Sequence, residues 1–278
     1  MTPSFHPKVL LRSEETRGNV SVIANVVPPR WDGPPLHEHG FDESFYVLDG
    51  ELTFQLGDEL ATAGPGAFIL APADAHHTLA NLSADSASYL LICTPPGFER
   101  YFAKVEAEQA GVDAPAWALE PAPPVNRVGP QIVERDDLDA ATSIPAAADS
   151  LNVLARSEET GGRVAVVEST RPAGSVGPPL HVHDFDEAFY VLEGELTFRV
   201  RDELLTAGPG DLVFAQGGVP HTFANLSNAP AHYLIVITPA GFERYFDRIA
   251  AKRAGVDPPP EASKPIPEVT RVGPRIGE

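Results

Sequence analysis

The chain is written twice. Arg12-Ser-Glu-Glu-Thr16 returns as Arg156-Ser-Glu-Glu-Thr160, Gly-Phe-Glu-Arg-Tyr-Phe stands at 97–102 and again at 241–246, and Arg-Val-Gly-Pro at 127–130 and 271–274, each time 144 residues on. A period this long marks a duplicated domain rather than a solenoid, because each copy can bury a core of its own. The expected organisation is an N-terminal domain at 1–135, a linker at 136–147 and a C-terminal domain at 148–278. The join is acidic, rich in alanine and without a sustained period, as linkers are.

Within one copy the apolar runs are short and punctuated. Val20 to Val27 is apolar and ends at Pro28-Pro29; Gly33-Pro34-Pro35 then presents Leu36 to His39. Glu43 to Leu48 and Glu51 to Leu56 flank Asp49-Gly50, a hairpin turn signal. Ala67 to Ala71, His77 to Asn81, Tyr89 to Cys93 and Val125 to Val133 complete the expected strands. Short strands between Gly/Pro turns indicate an all-β sandwich or barrel in each copy. Phe98, Tyr101, Phe102 and Val105 switch to helical spacing, with Gly111 as the stop. Each barrel is therefore followed by a short helix, too short to be stable unless it docks.

Histidine placement carries the chemistry. His37 and His39 alternate on one strand and so face one side. Glu43 follows past a break, and His77 arrives from a distant strand. The second copy repeats the set as His181, His183, Glu187 and His221, so six of the nine histidines sit in these two sets. The copies differ beside these positions, at Glu38/Val182, Ser44/Ala188 and His76/Pro220, but not at them. Three imidazoles and a carboxylate suit a divalent transition metal, one per barrel, and accept Fe, Mn, Ni, Co or Zn alike. His6, His76 and His232 have no such partners and read as structural.

Composition sets limits. The net charge of −19 disfavours nucleic acid as a partner. No apolar run reaches the ~20 residues of a membrane helix, and the first residues lack the pattern of a secretory signal. Cys93 is the one cysteine, so no intrachain disulfide can form. The expected location is cytoplasmic.

These motifs resemble the cupin superfamily. Gly33-x3-His37-x-His39-x3-Glu43-x6-Gly50 is similar to the first cupin motif, with a shorter gap after the leading glycine, and Gly66-x5-Pro72-x4-His77-x3-Asn81 to the second. Copy two matches with Gly177, His181, His183, Glu187, Gly194, Gly210, His221 and Asn225. Asp74, where copy two has Gly218, and Gln216, where copy one has Pro72, depart from the pattern without removing a ligand. The resemblance implies a bicupin: two tandem jelly-roll β-barrels (double-stranded β-helices) that form an intramolecular pseudo-dimer, with a homo-oligomer left open.

The Thr-Pro-Pro-Gly-Phe-Glu-Arg-Tyr-Phe segment, residues 94–102, resembles that of quercetinase-like cupins. It implies a metal-dependent dioxygenase taking a small aromatic or enol-bearing substrate and dioxygen. Glu43 and Glu187 would then be both ligand and catalytic base, with Phe45, Phe54, Phe189 and Phe198 as pocket walls. A non-redox isomerase or lyase, and a non-catalytic ligand-binding cupin, are the alternatives.

Overall fold

Gly/Pro punctuation becomes turns, and the runs between them become strands. In the computed structural model, residues 5–135, 137, 138, 141–146 and 150–278 are described. The chain divides into two units, Met1–Ala147 and Ala148–Glu278.

In the first unit the strands are β1 (His6–Leu11), β2 (Ser21–Val27), β3 (His37–Glu38), β4 (Asp42–Asp49), β5 (Leu52–Leu56), β6 (Glu59–Ala63), β7 (Phe68–Ala71), β8 (His77–Ala80), β9 (Ala87–Thr94), β10 (Asn126–Arg127) and β11 (Thr142–Ile144). They form two sheets, ordered β1-β2-β9-β4-β7 and β10-β3-β8-β5-β6-β11. All neighbours run antiparallel except β11, which is parallel to β6. Phe45, Val47 and Leu91 from the first sheet and Leu52, Phe54 and Leu79 from the second share one buried core. This is the jelly-roll sandwich, mostly strand with one docked helix. Helix α1 (Glu99–Ala110) follows β9.

The second unit repeats the plan with β12 (Leu151–Ala155), β13 (Ala165–Arg171), β14 (His181–Val182), β15 (Asp186–Glu193), β16 (Leu196–Val200), β17 (Glu203–Ala207), β18 (Leu212–Ala215), β19 (His221–Ala224), β20 (Ala231–Thr238), α2 (Glu243–Ala254) and β21 (Thr270–Arg271). Its sheets run β12-β13-β20-β15-β18 and β17-β16-β19-β14-β21.

The two repeated motifs meet in space. Glu99 is fully buried at the start of α1 and accepts hydrogen bonds from the Ser13 amide at 3.2 Å and the Gly97 amide at 2.6 Å. Glu243 does the same for the Ser157 amide at 3.2 Å, and takes the Ser157 hydroxyl as well at 2.7 Å. A buried carboxylate needs such donors, since desolvation without them is expensive. The clamp ties each helix to the Arg-Ser-Glu-Glu-Thr turn. Gly111 then stops α1 at φ +67°, its amide bonding back to Ala107 and Glu108.

Three elements differ from expectation. Of the expected linker 136–147, residues 136, 139, 140 and 147 lie outside the described residues, while Thr142–Ile144 pairs with Ala61–Ala63 and Ile144 packs against the first core. The expected strand Val125–Val133 is only Asn126–Arg127, because Gly129-Pro130 turns the chain into a short 3-10 segment at Ile132–Glu134. Strands β1 and β6 lay outside the expected set; β6 is half alanine-threonine and lacks the bulk that signals a strand.

Gly33 explains the first glycine of the motif. It sits at φ +72°, and a Cβ there would lie 1.7 Å from the Leu79 carbonyl oxygen. Gly18 has a similar φ, +80°, but open space around it. Gly33→Ala is expected to cost more than about 3 kcal/mol, while Gly18→Ala costs only the left-handed penalty of about 1–2 kcal/mol. Urea unfolding of the two variants against wild type checks the difference.

Candidate metal centre

Strand register assembles each cluster. His37 and His77 are direct cross-strand partners on β3 and β8, and His181 and His221 on β14 and β19. Glu43 projects from β4 of the opposite sheet, and His39 follows β3 at the turn into it. The ligand atoms of His37, His39, Glu43 and His77 all lie within 4.8 Å of one another, as do those of His181, His183, Glu187 and His221. Seven of the eight residues are buried, and His181 is half-buried.

Every imidazole is oriented the same way. His37 Nδ1 bonds the Pro35 carbonyl at 2.8 Å, His39 Nδ1 that of Phe41 at 2.9 Å, and His77 Nδ1 that of Ala75 at 2.8 Å. His181, His183 and His221 repeat this with Pro179, Phe185 and Val219 at 2.8, 2.8 and 2.9 Å. A carbonyl only accepts, so each Nδ1 carries the proton and each neutral Nε2 turns a lone pair inward. His39 and His183 are further held by stacking on Phe41 and Phe185, with centroids 3.6 and 3.5 Å apart.

The inward lone pairs then face one another. His77 Nε2 lies 3.0 Å from Glu43 Oε2, and His183 Nε2 lies 3.2 Å from His221 Nε2. The Nε2 of His39 is buried with no hydrogen-bond partner. Acceptors packed against acceptors in a buried cluster require a cation or protons between them. The donor set fits a divalent transition metal, one in each barrel.

Charge follows from the same geometry. Burial pushes the Glu43 carboxyl up, but the imidazoles of His39 and His77 outweigh it and hold it at about 2; Glu187 beside His183 and His221 is held at about 2 as well. Burial resists charging His77, yet Glu43 prevails and raises its pKa; Glu187 does the same to His221. His37 and His181 shift down, first through burial and then through the neighbouring His77 and His221.

Two supporting residues lie outside the expected set. Asp42, adjacent to Glu43, accepts the Ala73 amide at 2.8 Å, and Asp186 accepts the Gly217 amide at 2.7 Å. Each carboxylate fastens the loop that delivers the last histidine. The equivalence of Asp42 and Asp186 in the two copies was the available signal. The Asp74/Gly218 difference is absorbed: both adopt positive φ, and their amides donate to the His39 and His183 carbonyls at 2.8 and 2.7 Å.

The profile of the cupin domain matches residues 25–93 and 167–237, each spanning one cluster. The chain is a tandem cupin. Solved structures similar to this cupin include the Lactobacillus farciminis oxalate decarboxylase in its formate complex, at 14% identity and TM-score 0.57, covering 93% of this chain and 91% of that one. A Bacillus subtilis oxalate decarboxylase variant matches at 15% identity and TM-score 0.57, over 92% of this chain and 81% of that one. At such identities the likeness is one of fold. Among curated proteins, none matches this cupin in sequence. No helix among the described residues is long and apolar enough to cross a membrane.

The two barrels of this cupin differ above their clusters. In the first, a cavity of about 650 Å³ reaches His37 and Glu43, and its walls include Phe45, Leu79, Leu91, Trp31 and Phe98. Phe54 stands behind Phe45, centroids 5.3 Å apart, outside the lining. In the second, Phe223 replaces Leu79 and packs on Phe189 at 4.9 Å, Phe198 at 5.7 Å and Tyr233 at 5.6 Å. The guanidinium of Arg171 lies 4.5 Å over the Phe223 ring. Phe189 and Phe198 are buried around this extra aromatic ring, as Phe45 and Phe54 are buried in the first barrel.

A proton on His77 or His221 must leave before a metal can take its Nε2. Affinity is therefore expected to fall as pH drops through the raised pKa of these histidines, by about tenfold per unit below it for each proton displaced. Metal titrations between pH 5 and 8 check this. His37→Ala is expected to remove one equivalent of metal and His37→Ala/His181→Ala both, read by mass spectrometry of protein purified without chelators or a histidine tag.

Proposed function

We propose that the first barrel is the working half of a metal-dependent oxygenase acting on a small, flat substrate with a phenol or enol oxygen. The observation that supports this most directly is the apolar cavity of about 650 Å³ that ends at His37 and Glu43. Its size lies in the ordinary range for small-molecule sites, and its aromatic walls favour a planar ring. Such walls also suit dioxygen, an apolar gas. A dianion as small as oxalate, the namesake substrate of the structural neighbours, would leave most of this space unfilled and gain little from phenyl walls.

When bound, the divalent metal supplies a Lewis acid that acidifies an enol or phenol hydroxyl and orients its oxygen. Glu43, held at about 2, is ionised throughout the working range and accepts that hydroxyl's hydrogen bond. It is a weak base, so the proton moves to it only from a hydroxyl already acidified. Leu79, Leu91 and Phe45 exclude water around the ring. In the second barrel Phe223 stands at the position corresponding to Leu79 and packs on Phe189 and Phe198.

Leu79→Phe copies the second barrel into the first. It is expected to lower turnover by about tenfold or more while metal content stays the same. Oxygen consumption by the metal-loaded protein across flavonols and other enols checks the reaction type. Turnover that proceeds equally without oxygen would replace this reading with a lyase or isomerase, and no turnover across the panel would leave a binding protein.

A further inference from the structure

Strand register sorts the inner face of the β1-β2-β9-β4-β7 sheet into rows. Ser21, Cys93, Glu43 and Ala71 form the row at the metal cluster. Ile23, Leu91, Phe45 and Ile69 form the next. Pro7, Asn25, Tyr89 and Val47 form the third. Each row is two residues further along the strands, so the third is set back from the first by roughly 13 Å of backbone. The cavity runs along all three, because Glu43, Phe45, Leu91 and Tyr89 line it. Phe45 stands between its ends, with its ring centroid 6.4 Å from that of His77 and 5.9 Å from that of Tyr89.

The middle row is wholly apolar. The third carries two polar groups that nothing in the chain satisfies. Asn25 is 1% exposed, and neither its amide nitrogen nor its amide oxygen has a hydrogen-bond partner among the described residues. It belongs to the inner face, since Ile23 and Val27, two residues to either side, sit in the first core. Tyr89 is its direct cross-strand partner, 2% exposed, and its hydroxyl bonds to no described residue. Apart from His37 and Glu43 of the cluster, Tyr89 is the buried lining side chain with a polar atom. Burial, with the Glu43 charge, raises its pKa, so the hydroxyl keeps its proton and can donate. Buried donors and acceptors are nearly always paired. An open phenol beside an open amide, at the far end of an apolar cavity, therefore calls for a polar partner from outside the chain.

We infer that the substrate is polar at both ends. One oxygen faces the His37–His39–Glu43–His77 cluster, and a second hydroxyl or carbonyl, on the far side of an apolar ring system, meets the Tyr89 hydroxyl. This rests on the cavity reading given above and narrows its substrate class. Tyr89 makes the contact, while Asn25 does not line the cavity and is a positioning residue that keeps this end of the interior polar. Phe45 and Leu91 flank the apolar middle. In the second barrel Tyr233 takes the place of Tyr89, but Ser169 takes that of Asn25, and Tyr233 packs against the Phe223 ring at 5.6 Å. Tyr233 is therefore an internal control.

The test uses the full chain loaded with zinc, titrated by calorimetry with 2-naphthol and with 2,6-dihydroxynaphthalene. Two equivalent hydroxyls favour the diol by roughly twofold on statistics alone; wild type is expected to favour it by about tenfold or more. Tyr89→Phe should return the preference to the statistical value while 2-naphthol binds within about threefold of wild type. Asn25→Leu should lower the preference as well, without lowering the urea midpoint, because it removes an unsatisfied amide and keeps the side chain's shape. Tyr233→Phe should change nothing. A preference that survives Tyr89→Phe overturns the inference. One that survives Asn25→Leu means that an ordered water alone satisfies the amide, and the part given to Asn25 falls. Equal weakening of both ligands by Tyr89→Phe would mark a packing effect and overturn it too, as would a preference lost in Tyr233→Phe. If neither ligand binds the zinc-loaded wild type, or both bind Leu79→Phe as before, the cavity reading itself falls. If both bind wild type and the diol gains only the statistical factor, the far-end assignment alone falls.

Discussion

Six hydrogen bonds from imidazole Nδ1 to backbone carbonyls, between 2.8 and 2.9 Å, determine what both halves of this protein can be. They fix the tautomer and ring orientation of every ligand histidine. They also turn six Nε2 atoms toward two carboxylates in two compact clusters. The clusters are unfavourable as bare groups of acceptors and become favourable with a cation between them. The sandwich around them supplies rigidity: each final histidine is the register partner of the first, and a buried aspartate fastens the loop in between. A shift of one residue in β3 or β14 would turn the first ligand out of the barrel.

The same scaffold is used for two ends. Ligands, orienting carbonyls, loop-fastening aspartates and helix clamps are duplicated almost atom for atom. The interior above the clusters is not. Leu79 leaves space in the first barrel, and Phe223 takes it in the second, covered by Arg171. This one exchange of an aliphatic for an aromatic side chain changes the packing above the cluster, because interiors filled to crystal density have no slack to absorb a ring.

The helix at the end of each barrel shows how motifs that look chemical can be structural. Arg-Ser-Glu-Glu-Thr and Gly-Phe-Glu-Arg-Tyr-Phe recur because Glu99 and Glu243 clamp each helix to a distant turn. The aromatic residues of the same segment, Phe98 in particular, reach the first-barrel cavity. Structural repetition and cavity lining are thus interleaved in one stretch of chain.

Duplication, all-β architecture, the helix after each barrel and the eight residues that gather into two clusters could be read from the sequence. Each rests on local rules: a constant offset, turn residues at strand ends, alternation on a strand, and side chains whose chemistry has few other uses at that spacing. Wall residues were less legible. Phe45 lines the cavity and Phe54 stands behind it, because alternation tells which residues face inward without telling how full the interior is. Packing of β11 against β6 was hidden in an alanine-rich stretch, and Asp42 acquires its place only when the fold brings the Ala73 amide to it. Sequence alone therefore determined the ligands and the repeat, which are matters of residue type and spacing. Tertiary structure decided which side chains line the first barrel's cavity, because volume and register are properties of several strands together.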